Sequence, residues 1–342
     1  MKTPAAILVA QKQPLELDEV EIPALRYGQV LVEIGATRIC GSQLGEIDGV
    51  KGPDRYLPHL LGHEAGVTIL EAGPGVTRVK QGDRAVLHWR AGLGLEGGGS
   101  VYTRNGATVN AGNITTFQKY AVVSENRLTV VPGDTDFEVC ALLADTLTTG
   151  FGVITNNARL AIGESVVIVG CGGIGLGVVL GAKLAGAHPI IAVDLQDHKL
   201  AKAKEFGATH TINSATTDFE AAAREILGGT ADVVVDGTGL PSVIEKAYTL
   251  TGPRGRCVIF GVMQHERRIS INTLPLHFGK VLTGSHGGES EPAVDIPRYI
   301  RMMRDGRFDP RGFISHRMGL ESINDGIARM RSGEVIHCIV HP

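Results

Sequence analysis

The sequence predicts an α/β chain in which a small, irregular β domain is joined to a doubly wound parallel sheet. Three observations carry this. Between 166 and 199 the chain runs through an apolar strand, a G-x-G-x-x-G turn, an apolar helix, a second strand and an aspartate. From about residue 150 onward, strands alternate with helical stretches, as in successive βαβ units. The first third instead holds short strands broken by Pro, Gly and polar residues. A chain of 342 residues suits two domains. The expected boundaries are 1–150 plus 288–342 for the β domain and 151–287 for the parallel sheet.

In order, PAAILVA, LDEVEIP and GQVLVEIGATRI read as strands over residues 1 to about 38. GVTILEAG and RAVLH continue that style through 88. Residues 91–113 are rich in Gly, Asn and Thr and read as an exposed lobe or loop. Strand character returns over 120–131. In the second domain, VVIV and IIAVD flank the glycine turn and its helix. Then come a helix at 197–206, the strand HTIN, a helix at 217–227 and the buried strand ADVVVD. PSVIEKAYTLT reads as helix, GRCVIFGV as strand, and KVLTGS as a sixth strand. A helix at 295–304, a mixed segment and the strand IHCIVHP complete a tail too short for a third domain, expected to pack on the first.

The glycine turn has a chemical meaning. Gly170 permits a tight turn, Gly172 lets backbone approach a pyrophosphate, and Gly175 lets the helix sit close to the strand. Free N–H groups at the helix start then hold phosphates. Asp194 stands where a carboxylate accepts both adenosine ribose hydroxyls and repels a 2′-phosphate, so NAD is expected over NADP. The glycines alone leave open another α/β turn, or FAD or S-adenosylmethionine as ligand.

Composition narrows the class. Hydrophobic residues make up 43% and charged residues 20%, an ordinary globular mixture. A formal net charge of −3 offers no footprint for nucleic acid or an anionic membrane. No run of about 18 apolar residues stands out, so no membrane span is expected. The N-terminal MKTPAAILVAQKQPLE lacks a long apolar core and cleavage site. Five cysteines without a C-x-x-C suit a reducing compartment, so the cytoplasm is expected.

The β domain contains Cys40-Gly41-Ser42 and Gly62-His63-Glu64. A thiolate and a neutral imidazole are good zinc ligands, and a catalytic zinc uses three protein ligands with one open position. Taken alone, a cysteine and a histidine so far apart are as readily unrelated. The order C-G-S, G-H-E, G-D-R and then a nucleotide fold, however, resembles the medium-chain zinc-type alcohol dehydrogenase family over nearly the whole chain. LGHEAGVTILEAGPGVTRVKQGDRAV is its most specific stretch, with the glycine after His63-Glu64 one place early, at Gly66. YTRNGATVNAGNITTFQKYAVV resembles the glutathione-dependent formaldehyde dehydrogenases of that family.

The resemblance implies a GroES-like first domain and a Rossmann second domain. It implies one catalytic zinc, held by Cys40, His63 and, in the LLADTLTTGFG segment, Asp145, with Glu64 as the acid beside the metal. The alternative for Asp145 is a helix-capping carboxylate. Ser42 matches the residue that takes the alcohol proton. Thr149, Gly173, Ile174, Lys199, Gly237, Thr238, Gly261, Val262 and His337 join Gly170, Gly172, Gly175 and Asp194 as the implied NAD-lining set. The implied reaction passes a hydride between NAD and a secondary or polar primary alcohol, with a sugar or cyclitol among the substrates considered. A homodimer or homotetramer is implied, its subunits pairing through residues 281–286.

Several positions depart from the family. Gly41 replaces a basic residue that grips the pyrophosphate, and Gly45 replaces the histidine of the outward proton relay. His337 replaces an arginine, which would make phosphate binding pH-sensitive. The stretch 88–123 has no cysteine, so no structural zinc is expected. Trp89, Arg90 and His286 are offered as substrate-facing, with plain loop roles as the alternative. Two other readings stay open: a zinc-free quinone or enone reductase on the same fold, and a non-catalytic NAD-binding protein.

Overall fold

The structure, a computed structural model, describes residues 1–50 and 52–342. The chain forms two compact units, Met1–Asp145 with Glu291–Pro342, and Thr146–Ser290.

The first unit is built around the long strand Gln29–Ile39. It pairs antiparallel with Glu64–Ala72, Tyr120–Ser124 and His337–His341. Arg84–His88 pairs with Glu64–Ala72 on its far side. Alternation in QVLVEI sends Val30, Val32 and Ile34 into a core with Val67, Ile69, Leu87 and Val123. Gly66 is required where Glu64–Ala72 meets the helix Phe137–Leu142. A Cβ there would lie 2.4 Å from the Phe137 carbonyl oxygen and 2.7 Å from Cys140 Cβ.

The expected loop at 91–113 is instead partly regular. Strands Val101–Arg104 and Ala107–Asn110 form a hairpin in a closed barrel with Lys2–Leu8, Glu16–Glu21 and His59–Leu60. The reason is the buried pair Tyr102 and Val109, which face inward across the hairpin. The Tyr102 hydroxyl accepts from the Val122 N–H at 2.8 Å, so burial leaves it satisfied. The surrounding Gly and Asn hide this short signal.

The second unit holds one six-stranded parallel sheet. Its order is His210–Asn213, Ile190–Asp194, Val166–Val169, Ala231–Asp236, Thr251–Ile259, Val281–Gly284. This doubly wound order reverses between Val166–Val169 and Ala231–Asp236, where such folds bind their ligands. Val166–Val169 is buried throughout, as a central parallel strand must be. Helix Gly173–Leu184 follows directly.

One helical run, Phe137–Asn157, is apolar and long enough by composition to cross a membrane, but 89% of its most apolar window is buried within the protein. It is a core helix, interrupted by Glu138, Asp145 and several threonines.

Candidate active site

Three neighbouring strands of the first unit end at one edge. Cys40 directly follows Gln29–Ile39, His63 directly precedes Glu64–Ala72, and Trp89 directly follows Arg84–His88. The registers Thr37 to Ala65 and Glu64 to His88 bring these three ends side by side. Asp145 comes from a π-helical turn, Leu143–Leu147, of the long helical run.

The ligand atoms of Cys40, His63, Glu64 and Asp145 all lie within 4.8 Å of one another. Asp145 Oδ2 is 4.0 Å from Cys40 Sγ and 3.8 Å from His63 Nε2. His63 Nε2 is 3.4 Å from Glu64 Oε1. A tetrahedral zinc shell has ligand-to-ligand edges of about 3.3–3.6 Å, from its bond lengths. One thiolate, one imidazole and one carboxylate around such a space fit zinc in donor chemistry as well as spacing. Glu64 Oε2 is buried with no hydrogen-bond partner among the described residues, as suits a group that faces a cation.

The site is electrostatically prepared. Arg38, buried two residues before Cys40, reaches Glu64 Oε1 at 2.8 Å and Asp145 Oδ2 at 3.5 Å. Burial opposes a charged Cys40, but Arg38 and His63 outweigh it and hold the thiol below its ordinary value. Burial likewise opposes charge on His63, and its acidic neighbours, Asp145 first, hold its pKa well above the usual range. Gln43 spans the pair: its Oε1 accepts from the Cys40 N–H at 2.7 Å and its amide nitrogen meets His63 Nδ1. Ser42 Oγ lies 3.4 Å from His63 Nδ1.

Arg38 is the group that reading the sequence missed. Its one signal was a cation inside the apolar strand GQVLVEIGATRI. Arg38 also donates to His337 Nδ1 at 3.1 Å. A guanidinium only donates, so that nitrogen acts as acceptor here. His337 opens the strand that pairs with Arg38 through Ile339.

His88 is buried, and burial first, with the charge of Arg127, pushes its pKa down to about 4. It is a neutral strut. Its Nδ1 meets the Arg90 carbonyl at 2.7 Å and its Nε2 the Thr129 hydroxyl at 2.9 Å. Trp89 Nε1–H donates to Asp145 Oδ1 at 3.1 Å. The Arg90 guanidinium sits 5.8 Å from the centre of the Trp89 ring. A recess of about 920 Å³ lies elsewhere, against the later half of helix Gly41–Asp48 near Gly45 and Glu46. Its Asp54–His59 pair, at 2.7 Å, is already satisfied, since the other His59 nitrogen meets the Leu60 carbonyl.

In the second unit, Gly170 has φ +95° and turns the chain out of Val166–Val169. A Cβ on Gly175 would lie 1.9 Å from the Gly170 carbonyl oxygen, so only glycine lets the helix start there. A Cβ on Gly172 would meet nothing within 4 Å. That leaves open backbone at the helix start, beside Gly173 and Ile174, which fits a bound pyrophosphate. Asp194 is tied to this turn, its Oδ2 accepting from the Cys171 N–H at 2.8 Å. Lys199 lies in the first turn of helix Asp197–Phe206. Buried Asp236 shapes the next turn, accepting from Thr238 and from the Gly239 N–H at 3.0 Å. Gly261 packs against Gly237 and Gly239, and Val262 is exposed. Thr149 is buried in helix Thr148–Gly152, while His286 is exposed before Gly287–Glu289.

Residues 26–133 match the alcohol dehydrogenase GroES-like domain and residues 173–304 the zinc-binding dehydrogenase domain. S-(hydroxymethyl)glutathione dehydrogenase of Paracoccus denitrificans is 32% identical over 376 aligned residues, covering 99% of this chain and 100% of that protein. Among solved structures, an alcohol dehydrogenase zinc-binding domain protein from Burkholderia ambifaria has a TM-score of 0.91 at 29% identity, covering 100% of this chain and 99% of that one. Benzyl alcohol dehydrogenase from Acinetobacter calcoaceticus has a TM-score of 0.90 at 28% identity, with the same coverage. The chain is therefore an alcohol oxidoreductase and belongs to the medium-chain zinc-type alcohol dehydrogenase family.

Proposed function

We propose that this enzyme passes a hydride between NAD and a secondary or polar primary alcohol, with one catalytic zinc per chain held by Cys40, His63 and Asp145. The convergence of those three ligand atoms from distant parts of the chain carries the reading. Zinc, when bound, supplies Lewis-acid polarisation of the substrate oxygen. Nicotinamide supplies the hydride acceptor. Ser42 Oγ, 3.4 Å from His63 Nδ1, takes the alcohol proton while its own hydroxyl proton passes to water, since Gly45 leaves no relay histidine. Glu64 keeps a carboxylate beside the ligands, held by Arg38. Trp89 and Arg90 wall the cluster toward substrate.

The coenzyme rests on the open backbone at Gly172, Gly173 and Ile174 and on Asp194, whose negative charge disfavours a 2′-phosphate. Thr149, Lys199, Gly237, Thr238, Gly261 and Val262 complete its lining, whereas His337, buried against Arg38 in the first unit, does not join it. No second, structural zinc is proposed. The lobe has no cysteine, and Glu96 and Glu125 hold it through hydrogen bonds from Ser124, Arg127, Thr77, Arg78 and Leu95. Five unpaired cysteines support a reducing compartment such as the cytoplasm.

The test is elemental analysis of protein purified without chelators. Wild type is expected to hold about one zinc per chain, lost in both Cys40→Ala and Asp145→Ala. Zinc-free wild type, or full zinc in Asp145→Ala, would overturn the ligand set.

A further inference from the structure

The third proposed ligand is an aspartate, and a carboxylate has two equivalent oxygens where a thiolate has one donor atom. Something must decide how many of them face the metal. In this structure the two oxygens are divided. Oδ2 faces the cluster, 4.0 Å from Cys40 Sγ, 3.8 Å from His63 Nε2 and 3.5 Å from Arg38. Oδ1 accepts the Trp89 indole N–H at 3.1 Å.

Trp89 is itself held on both sides. His88, buried and neutral, bonds the Arg90 carbonyl at 2.7 Å and Thr129 at 2.9 Å. The Trp89 carbonyl accepts from the buried Arg127 guanidinium. Arg127 is anchored in turn by Glu96 at 2.8 Å. The indole therefore approaches Asp145 from a braced backbone, and its N–H is a donor that no ordinary pH removes.

Resting on the Cys40, His63, Asp145 ligand set, we infer that Trp89 is a positioning residue: it occupies Asp145 Oδ1 so that the aspartate offers zinc only Oδ2 and the open coordination position stays free for substrate. A partner that orients a ligand in this way is commonly worth about 10- to 100-fold in metal affinity.

The test compares wild type, Trp89→Phe, Asp145→Ala, Asp145→Cys and Trp89→Phe with Asp145→Cys. Zinc affinity is read by competition with a chromogenic chelator, and coordination number by the visible spectrum of the Co²⁺-substituted enzymes. Trp89→Phe keeps an aromatic ring and loses only the donor edge. It is expected to weaken zinc binding by about 10- to 100-fold and to dim the four-coordinate Co²⁺ bands. With Asp145→Cys in place, Trp89→Phe should leave both readouts unchanged, because a thiolate has no second oxygen to hold. Unaltered affinity and spectrum in Trp89→Phe, beside lost metal in Asp145→Ala, would overturn the inference and spare the ligand set. Metal retained in Asp145→Ala would sink the ligand set itself.

Trp89 is the one tryptophan in the chain, so a further readout needs no variant of it. The resonance Raman band of the indole N–H should move to its non-bonded position in Asp145→Ala. An unmoved band would overturn the inference even if Trp89→Phe failed to fold.

Discussion

Asp194 shows what one carboxylate does when neighbouring backbone holds it. Its Oδ2 accepts from Cys171 N–H at 2.8 Å and its Oδ1 from Gln196 N–H at 3.0 Å. The side chain therefore has a set orientation before any coenzyme arrives, and each oxygen keeps a further lone pair. Asp194→Ala is expected to lower the NAD-over-NADP ratio of kcat/KM by about 10- to 100-fold, the range of one or two charge-assisted hydrogen bonds. An unchanged ratio would remove Asp194 from coenzyme selection. Asp194 was legible in the sequence because its meaning is local: strand, glycine turn, helix, strand, acid. Arg38 was not. Its partners Glu64, Asp145 and His337 lie far along the chain, and no pattern near residue 38 announces them.

At the scale of elements, the glycine-rich lobe is the instructive case. A run such as GLGLEGGGS gives no period, so it read as loop. The structure anchors it through Glu96, which accepts from Ser124 Oγ at 2.7 Å and Arg127 at 2.8 Å. Burial works against the Glu96 charge. Hydrogen bonds from Ser124, Arg127 and the Gly98 N–H outweigh it and hold the pKa at about 2, against 4.5 for an ordinary glutamate. A pKa lowered in the folded state stabilises fully above about pH 4.5, and that contribution drains away as pH falls toward 2. Glu96→Gln should therefore have a lower Tm than wild type at pH 7. The difference should shrink steadily between pH 5 and pH 3, followed by calorimetry. Parallel Tm curves for the two proteins across that range would show that Glu96 does not anchor the lobe through its charge.

At the scale of the molecule, the edge strand Val281–Gly284 of the second unit pairs, among the described residues, on one side only, with Thr251–Ile259. Val281 is exposed there, as are Leu274 and Phe278 just before it. An apolar, half-paired edge invites a second strand, and a homodimer built on it, alone or within a tetramer, is our reading of the assembly. Val281→Asp is expected to shift the protein to monomers in light scattering, with the zinc content of the first unit unchanged. An assembly unaffected by that substitution would place the interface elsewhere.

The sequence by itself determined the doubly wound sheet, the glycine turn and Asp194, because each depends on neighbours within a few dozen residues and on simple periodicity. It also named Cys40, His63 and Asp145, through motif spacing and family resemblance. Only the tertiary structure decided how these act together. Strand register set three element ends at one edge and brought Arg38 against Glu64. It also aimed the Trp89 N–H at one oxygen of Asp145. Hydrogen bonds and ion pairs act over a few ångströms, and the groups that share them here are separated by tens to hundreds of residues. Local sequence therefore carries the candidate ligands, while the packed fold carries their orientation and charge balance.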